Sequence, residues 1–157
     1  MKVEIFSILD FKGNEASDPQ MLPLYLDHYR ERFPNCVFNI YLNNYPDNYN
    51  GEEIKILKSK KCNIRTIELG DNTLYYTIMW KRQYPQFPEP DHRKIAKAFS
   101  KYIIEEAKFK NNIWKKSDAD WVIVCDIDEL VHISEKELRD EVSDVIKFIG
   151  YNMARYA

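Results

Sequence analysis

Apolar residues in this chain fall into two patterns that alternate from the N-terminus onward. Short β-branched runs read as strands, and apolar positions spaced three and four apart read as helices. Val3 to Leu9 predicts a first strand, followed by a polar loop from Asp10 to Gln20. Pro23 suits a first helical turn, and Leu22, Leu26, Tyr29 and Phe33 then recur at helical spacing until Pro34 and Asn35 stop the helix. Val37 to Leu42 predicts a second strand, and the Asn-rich stretch Asn43 to Asn48 a turn. Glu52 to Lys61 reads as a short helix and Ile64 to Leu69 as a third strand. From Gly70 to Pro90 the pattern weakens, and Pro85, Pro88 and Pro90 argue against regular structure. Asp91 fits the cap of a long helix with Ile95, Phe99, Tyr102 and Ile103 on one face. A strand follows from Trp121. Ser134 and Glu137 have the spacing of a capping box for a helix reaching about Glu141, and Val145 to Ile149 reads as a last strand.

This order predicts an α/β fold, a mostly parallel sheet flanked by helices on both faces. No Gly-x-Gly-x-x-Gly or other phosphate-cradling Gly-rich loop is present, which argues against a dinucleotide fold of that type. The 157 residues suit a single domain with a substantial core. A formal net charge of -2, with acids and bases interspersed, gives no electrostatic case for nucleic acid or an anionic membrane. Cys36, Cys62 and Cys125 lack metal-ligand spacing and read as reduced small hydrophobes. With no long apolar stretch at the N-terminus, the expectation is a soluble, cytoplasmic protein without a transmembrane segment.

Candidate chemistry concentrates between Trp121 and Glu129. Five apolar residues end there in Asp126, Asp128 and Glu129. The run predicts a strand buried on both faces at the centre of the sheet. Ligands of open α/β sheets collect beyond the carboxyl ends of such strands, so both aspartates would reach the crevice. Carboxylates one residue apart suit a hard cation, Mn²⁺ or Mg²⁺. Aspartates past a strand also make turns and caps by accepting backbone N–H bonds. No Lys or Arg stands near these acids in sequence, and their mutual repulsion favours a metal site (Asp126, Asp128) over a turn.

An early β-strand, a second strand with an Asn-rich exit and a late strand ending in Asp-x-Asp together resemble the GT-A glycosyltransferases, most closely a family-2-like branch. Phe11-Lys12-Gly13-Asn14-Glu15 follows the first strand. Ile40 to Asn48 resembles the family's second-strand exit, and Lys110-Asn111 its basic-residue–Asn pair on the helix before the metal strand. Asp120 to Glu129 resembles that strand itself. The chain departs from the pattern at Leu42, where the family often has an Asp that contacts the base; either Asn43, Asn44 or Asp47 takes that contact or it is missing. In GT-A enzymes the acceptor region and general base usually lie beyond the equivalent of Ala157. The resemblance therefore leaves open a minimal enzyme or a donor-binding half within residues 1–157, and names no catalytic base.

The resemblance implies transfer of a sugar from a nucleotide diphosphate sugar, a UDP-sugar foremost, to a glycan or glycoconjugate acceptor. A cation on the diphosphate would offset charge on the leaving group. Asp128 is then a direct metal ligand, and Asp126 contacts the ribose or the metal through water. Asp10, Phe11, Lys12 and Asn14 flank the nucleotide, and Lys110 reaches the diphosphate or serves as a helix-dipole partner. Glu129 orients the loop or stands as a surface acid. His132 and the sugar-stacking candidates Trp80 and Trp114 have structural roles as their alternatives. Two other readings compete. Val-Ile-Val-Cys-Asp-Ile-Asp also resembles the motif of haloacid dehalogenase-like phosphatases, with Asp126 as nucleophile and Asp128 as acid, although Leu130 departs from it and the motif normally opens its domain. A non-catalytic GT-A-like binding domain is the other. An EF-hand is excluded by Leu130 and Val131, which replace an oxygen ligand and the required Gly.

Overall fold

The computed structural model describes residues 1–11, 20–46, 50–70, 92–142 and 151–152. Four strands form one sheet: β1 (Val3–Asp10), β2 (Val37–Asn43), β3 (Asn63–Ile67) and β4 (Trp121–Val124). Their order is β3-β2-β1-β4, and every neighbouring pair is parallel. Helices α1 (Met21–Arg32), α2 (Glu52–Ser59) and α3 (His92–Ile113) lie between the strands in sequence. A 3-10 turn, Trp114–Lys116, extends α3. After β4 come a two-residue strand β5 (Glu129–Leu130), helix α4 (Glu135–Asp140) and β6 (Tyr151–Asn152), which pairs antiparallel with β5. No helix among the described residues is long and apolar enough to cross a membrane.

The period-2 alternation of the strands sorts side chains onto two faces. Val3, Ile5 and Leu9 of β1, with Phe38, Ile40 and Leu42 of β2 and Ile123 of β4, share a core with Leu22, Tyr25, Leu26 and Tyr29 of α1 and with Ile54 and Leu57 of α2. Phe6, Ile8, Tyr41 and Val122 face the other way, where Tyr102, Phe109 and Ile113 of α3 join them. Helices thus cover both faces, as the alternation of elements predicts. Pro23 occupies the first turn of α1, where its missing N–H breaks no helical bond. Ser134 and Glu137 complete the capping box of α4, the hydroxyl accepting Glu137 N–H at 3.2 Å while Glu137 Oε2 accepts Ser134 N–H at 2.7 Å.

Two expectations change. The apolar stripe of α3 runs through Tyr102, Phe109 and Ile113, so Ile103 turns outward and is 42% exposed. More consequentially, β4 is not central. Among the described residues it pairs only with β1, and Val124 is 37% exposed. An apolar run cannot by itself distinguish an edge strand from a central one, and here the strands buried on both faces are β1 and β2. Backbone and side-chain bonds fix the start of β4 beside β1. Trp121 N–H donates to Lys2 O at 3.2 Å, Lys2 N–H to Asp120 Oδ2 at 2.6 Å, and Ser117 Oγ to Glu4 Oε2 at 2.8 Å. The strand expected over 145–149 and the irregular stretch over 71–90, with Trp80, lie outside the described residues.

Candidate functional site

The strand order carries a direct consequence for ligand binding. From β1 the chain proceeds outward to β2 and β3, then returns to place β4 on the other side of β1. The adjacent β1 and β4 therefore bound a topological switch point, where connections leave in opposite directions and where open α/β sheets form their ligand crevice. Asp10 ends β1, and Asp126 follows β4 by two residues. Side-chain alternation aims both toward the α3 face.

The β1–β2 side is a closed polar junction. Asp10 is 5% exposed, and its carboxylate accepts Nδ2 of Asn43 at 2.7 Å and Nδ2 of Asn44 at 3.0 Å. Asn43 is fully buried, and its Oδ1 accepts Leu69 N–H at 2.9 Å. The Asn44 amide also donates to Gly70 O at 3.1 Å. These bonds join the ends of β1 and β2 to the segment after β3. Asn44 and Gly70 have left-handed backbones, with φ of 54° and 108°. Asn tolerates that region and Gly prefers it, which explains both residues at the bend. Phe11 donates its N–H to Asn43 O at 3.0 Å and packs edge-on against Tyr45, with ring centroids 5.2 Å apart. Lys12, Asn14 and Asp47 lie outside the described residues.

The β4 side is open and charged. Asp126 O accepts Glu129 N–H at 3.0 Å, closing a turn with Ile127 and Asp128 at its centre. Glu129 Oε2 accepts Asp126 N–H at 3.0 Å, so Glu129 orients the loop. Ile127 is buried, while Asp126 and Asp128 are partly exposed. Sequence neighbours suggest no basic partner for these acids, but the fold supplies one. Lys110 Nζ lies 2.7 Å from Asp126 Oδ1 and 2.8 Å from Glu106 Oε1. Glu106 precedes Lys110 by one helical turn, so both project from the same side of α3. Burial pulls the Lys110 ammonium down. The charge and hydrogen bond of Asp126, with the bond from Glu106, outweigh it and push the pKa up to about 12. Lys110 is thus a permanent cation at the crevice and more than a helix-dipole partner.

Behind the acids, Cys125 Sγ sits 3.4 Å from both Tyr25 OH and Tyr29 OH, and Ser7 bonds Tyr25. Tyr29 OH donates to Glu129 O at 3.2 Å and accepts Val131 N–H at 3.1 Å, which ties the acid turn to α1. His28 Nε2 lies 3.0 Å from Val131 O, a second tie from the same helix. Burial pushes the Cys125, Cys36 and Cys62 thiols up, so all three stay protonated at neutral pH, as expected of small hydrophobes. His132 is engaged by Arg32, Nδ1 to NH2 at 3.1 Å, and packs edge-on against His28. Trp114 is 49% exposed, with the Lys115 ammonium 5.9 Å from its ring centre.

A divalent cation fits the chemistry of Asp126 and Asp128. Among the described residues, no group of three or more His, Cys, Asp or Glu converges on one point. Two carboxylates on an exposed turn suit an ion of the Mg²⁺ type, which keeps several waters and completes its shell with phosphate oxygens. Sequence reasoning missed Glu106, Tyr29 and Gly70. The spacing of Glu106 to Lys110 was a usable signal, whereas the tie from Tyr29 to a turn 100 residues away was not. No model of a known protein family matches the chain, and no curated protein matches it.

Proposed function

We propose that the crevice between the ends of β1 and β4 binds a nucleotide diphosphate sugar with Mn²⁺ or Mg²⁺, and that the chain serves glycosyl transfer from that donor on a GT-A-type fold. One observation carries this reading: a partly exposed carboxylate pair and a permanent ammonium share the carboxyl end of a parallel sheet at its switch point. The ammonium suits a diphosphate and the carboxylates suit a cation. A cation bound there would act as a Lewis acid that offsets charge on the departing nucleoside diphosphate. The residues of the chain divide the remaining work. Asp126 and Asp128 hold the cation, Lys110 takes phosphate oxygens, and Glu129 with Tyr29 fixes the turn that presents the acids. Asp10, Asn43 and Asn44 form the floor beside the nucleotide, with Phe11 and Tyr45 next to it. A glycan or glycoconjugate is the acceptor class.

Calorimetry with UDP tests the reading. UDP should bind in the presence of Mn²⁺ and lose most of that affinity in EDTA. Equal affinity with and without chelator would remove the metal, and absence of UDP binding under both conditions would remove the nucleotide. The phosphatase alternative has less support, because β4 follows three parallel strands and does not open the domain. Rapid hydrolysis of a phosphate monoester without UDP binding would reinstate it.

A further inference from the structure

The ammonium of Lys110 occupies the same carboxylate that a cation would need. It lies 2.7 Å from Asp126 Oδ1, while Glu106 on the same helix holds it from the other side at 2.8 Å. An ammonium and a divalent ion repel each other, so an ammonium bonded to Asp126 weakens the pull of that carboxylate on a cation. A diphosphate changes that balance, since its several anionic oxygens attract an ammonium more strongly than one carboxylate does. Lys110 sits on a flexible four-carbon stem, which lets its ammonium change partners by side-chain rotation.

We propose that Lys110 gates the cation site: it closes Asp126 to a divalent ion until a diphosphate draws the ammonium onto itself. The inference rests on the reading of the crevice as a nucleotide diphosphate site and adds an order of events to it. Metal alone binds weakly, diphosphate and metal bind together, and each raises the affinity of the other, as linkage requires. Free cation in the absence of donor is thereby disfavoured at the crevice.

The test is Mn²⁺ binding measured through the paramagnetic resonance signal of the free ion, with and without UDP, in the wild type, Lys110→Met and Lys110→Arg. Lys110→Met should bind Mn²⁺ alone at least about fivefold more tightly than the wild type, because its Asp126 is unoccupied. The same variant should bind UDP in the presence of Mn²⁺ at least about tenfold more weakly. Lys110→Arg keeps the charge and should leave Mn²⁺ binding at or below the wild-type level, and it decides the matter if the Met variant fails to fold. Mn²⁺ affinity that is unchanged or weaker in Lys110→Met, or tighter in Lys110→Arg, overturns the gate while leaving the site reading intact. A wild type that binds no UDP with Mn²⁺ present removes the site reading itself, and the gate with it.

Discussion

Asp10 and Asp126 end neighbouring parallel strands and face the same helix, yet the fold treats them in opposite ways. Asp10 is buried and held by two neutral amides that also bind the segment after β3. Asp126 has a side chain 42% exposed and is held by one partly exposed cation. The Asn43 amide cannot leave Asp10 without opening the sheet, because Asn43 is itself buried. The partner of Asp126 can give way to water at small cost, since a partly exposed ion pair contributes only about 0–1 kcal/mol. Two carboxylates one strand apart thus differ in how firmly their partners hold them, and a motif search that counts acids would rank them equally.

The sharpest way to break this comparison is to remove the amide at the junction. Asn43→Leu keeps the branched shape of the side chain but leaves Asp10 and Leu69 N–H each short of a partner inside the protein. Each such loss costs about 1–3 kcal/mol, so the variant should be destabilised by roughly 3 kcal/mol. For a chain of this size that corresponds to a melting temperature lower by roughly 10 °C. Asp126→Asn, measured in parallel, should shift melting by no more than about 3 °C. If the two variants melt alike, the junction and the crevice do not differ as described.

The next effect is on binding. Asp128→Asn removes a charge from the turn and, on the proposed reading, should weaken Mn²⁺-dependent UDP binding at least about tenfold, or 1.4 kcal/mol. Its melting temperature without ligand should fall less than that of Asn43→Leu, because the turn is also closed by Glu129 and the backbone. Loss of stability with unchanged UDP affinity would make the acid pair a structural turn and end its role as a metal site.

What could be read from the sequence followed from local physics. Local apolar patterns located β1 to β4, the helices α1 to α3, and the capping box at Ser134 and Glu137, because each depends on residues close in the chain. The parallel sense of the sheet followed from the alternation of elements, but the order of its strands was not legible. The run at Trp121 looked the most buried and lies at the edge among the described residues, since burial of a strand depends on which strands flank it. Asp126 looked unneutralised because Lys110 reaches it through a fold in which α3 packs on the sheet. The Asn-rich turn announced polar groups at the end of β2, but not that the Asn43 amide bonds Asp10 and Leu69. A residue's type announces hydrogen-bonding capacity. Only the tertiary structure decides whether that capacity is spent internally.

The smallest effect concerns the anchor beneath the acid turn. Tyr29 and His28 tie residues 129–131 to α1, and of the two His28 titrates near neutrality. Burial lowers its pKa from the ordinary value of 6.5, against the bond to Val131 O, which raises it, and the Arg32 and His132 charges lower it further. The folded state therefore resists protonation more than the unfolded chain does. The stability this contributes is fully present above pH 6.5 and is lost as pH falls through the lower pKa of the folded state. Between pH 7.5 and pH 5 the wild type should lose a little more stability than His28→Gln, a difference on the order of 2 °C in melting temperature. Tyr29 has no such dependence in this range, because burial pushes its phenol far above its ordinary value. Melting curves of the two proteins across that interval decide the point. Parallel curves would mean that the His28 ring carries the same charge in the folded and unfolded chain, and that Tyr29 alone anchors the turn.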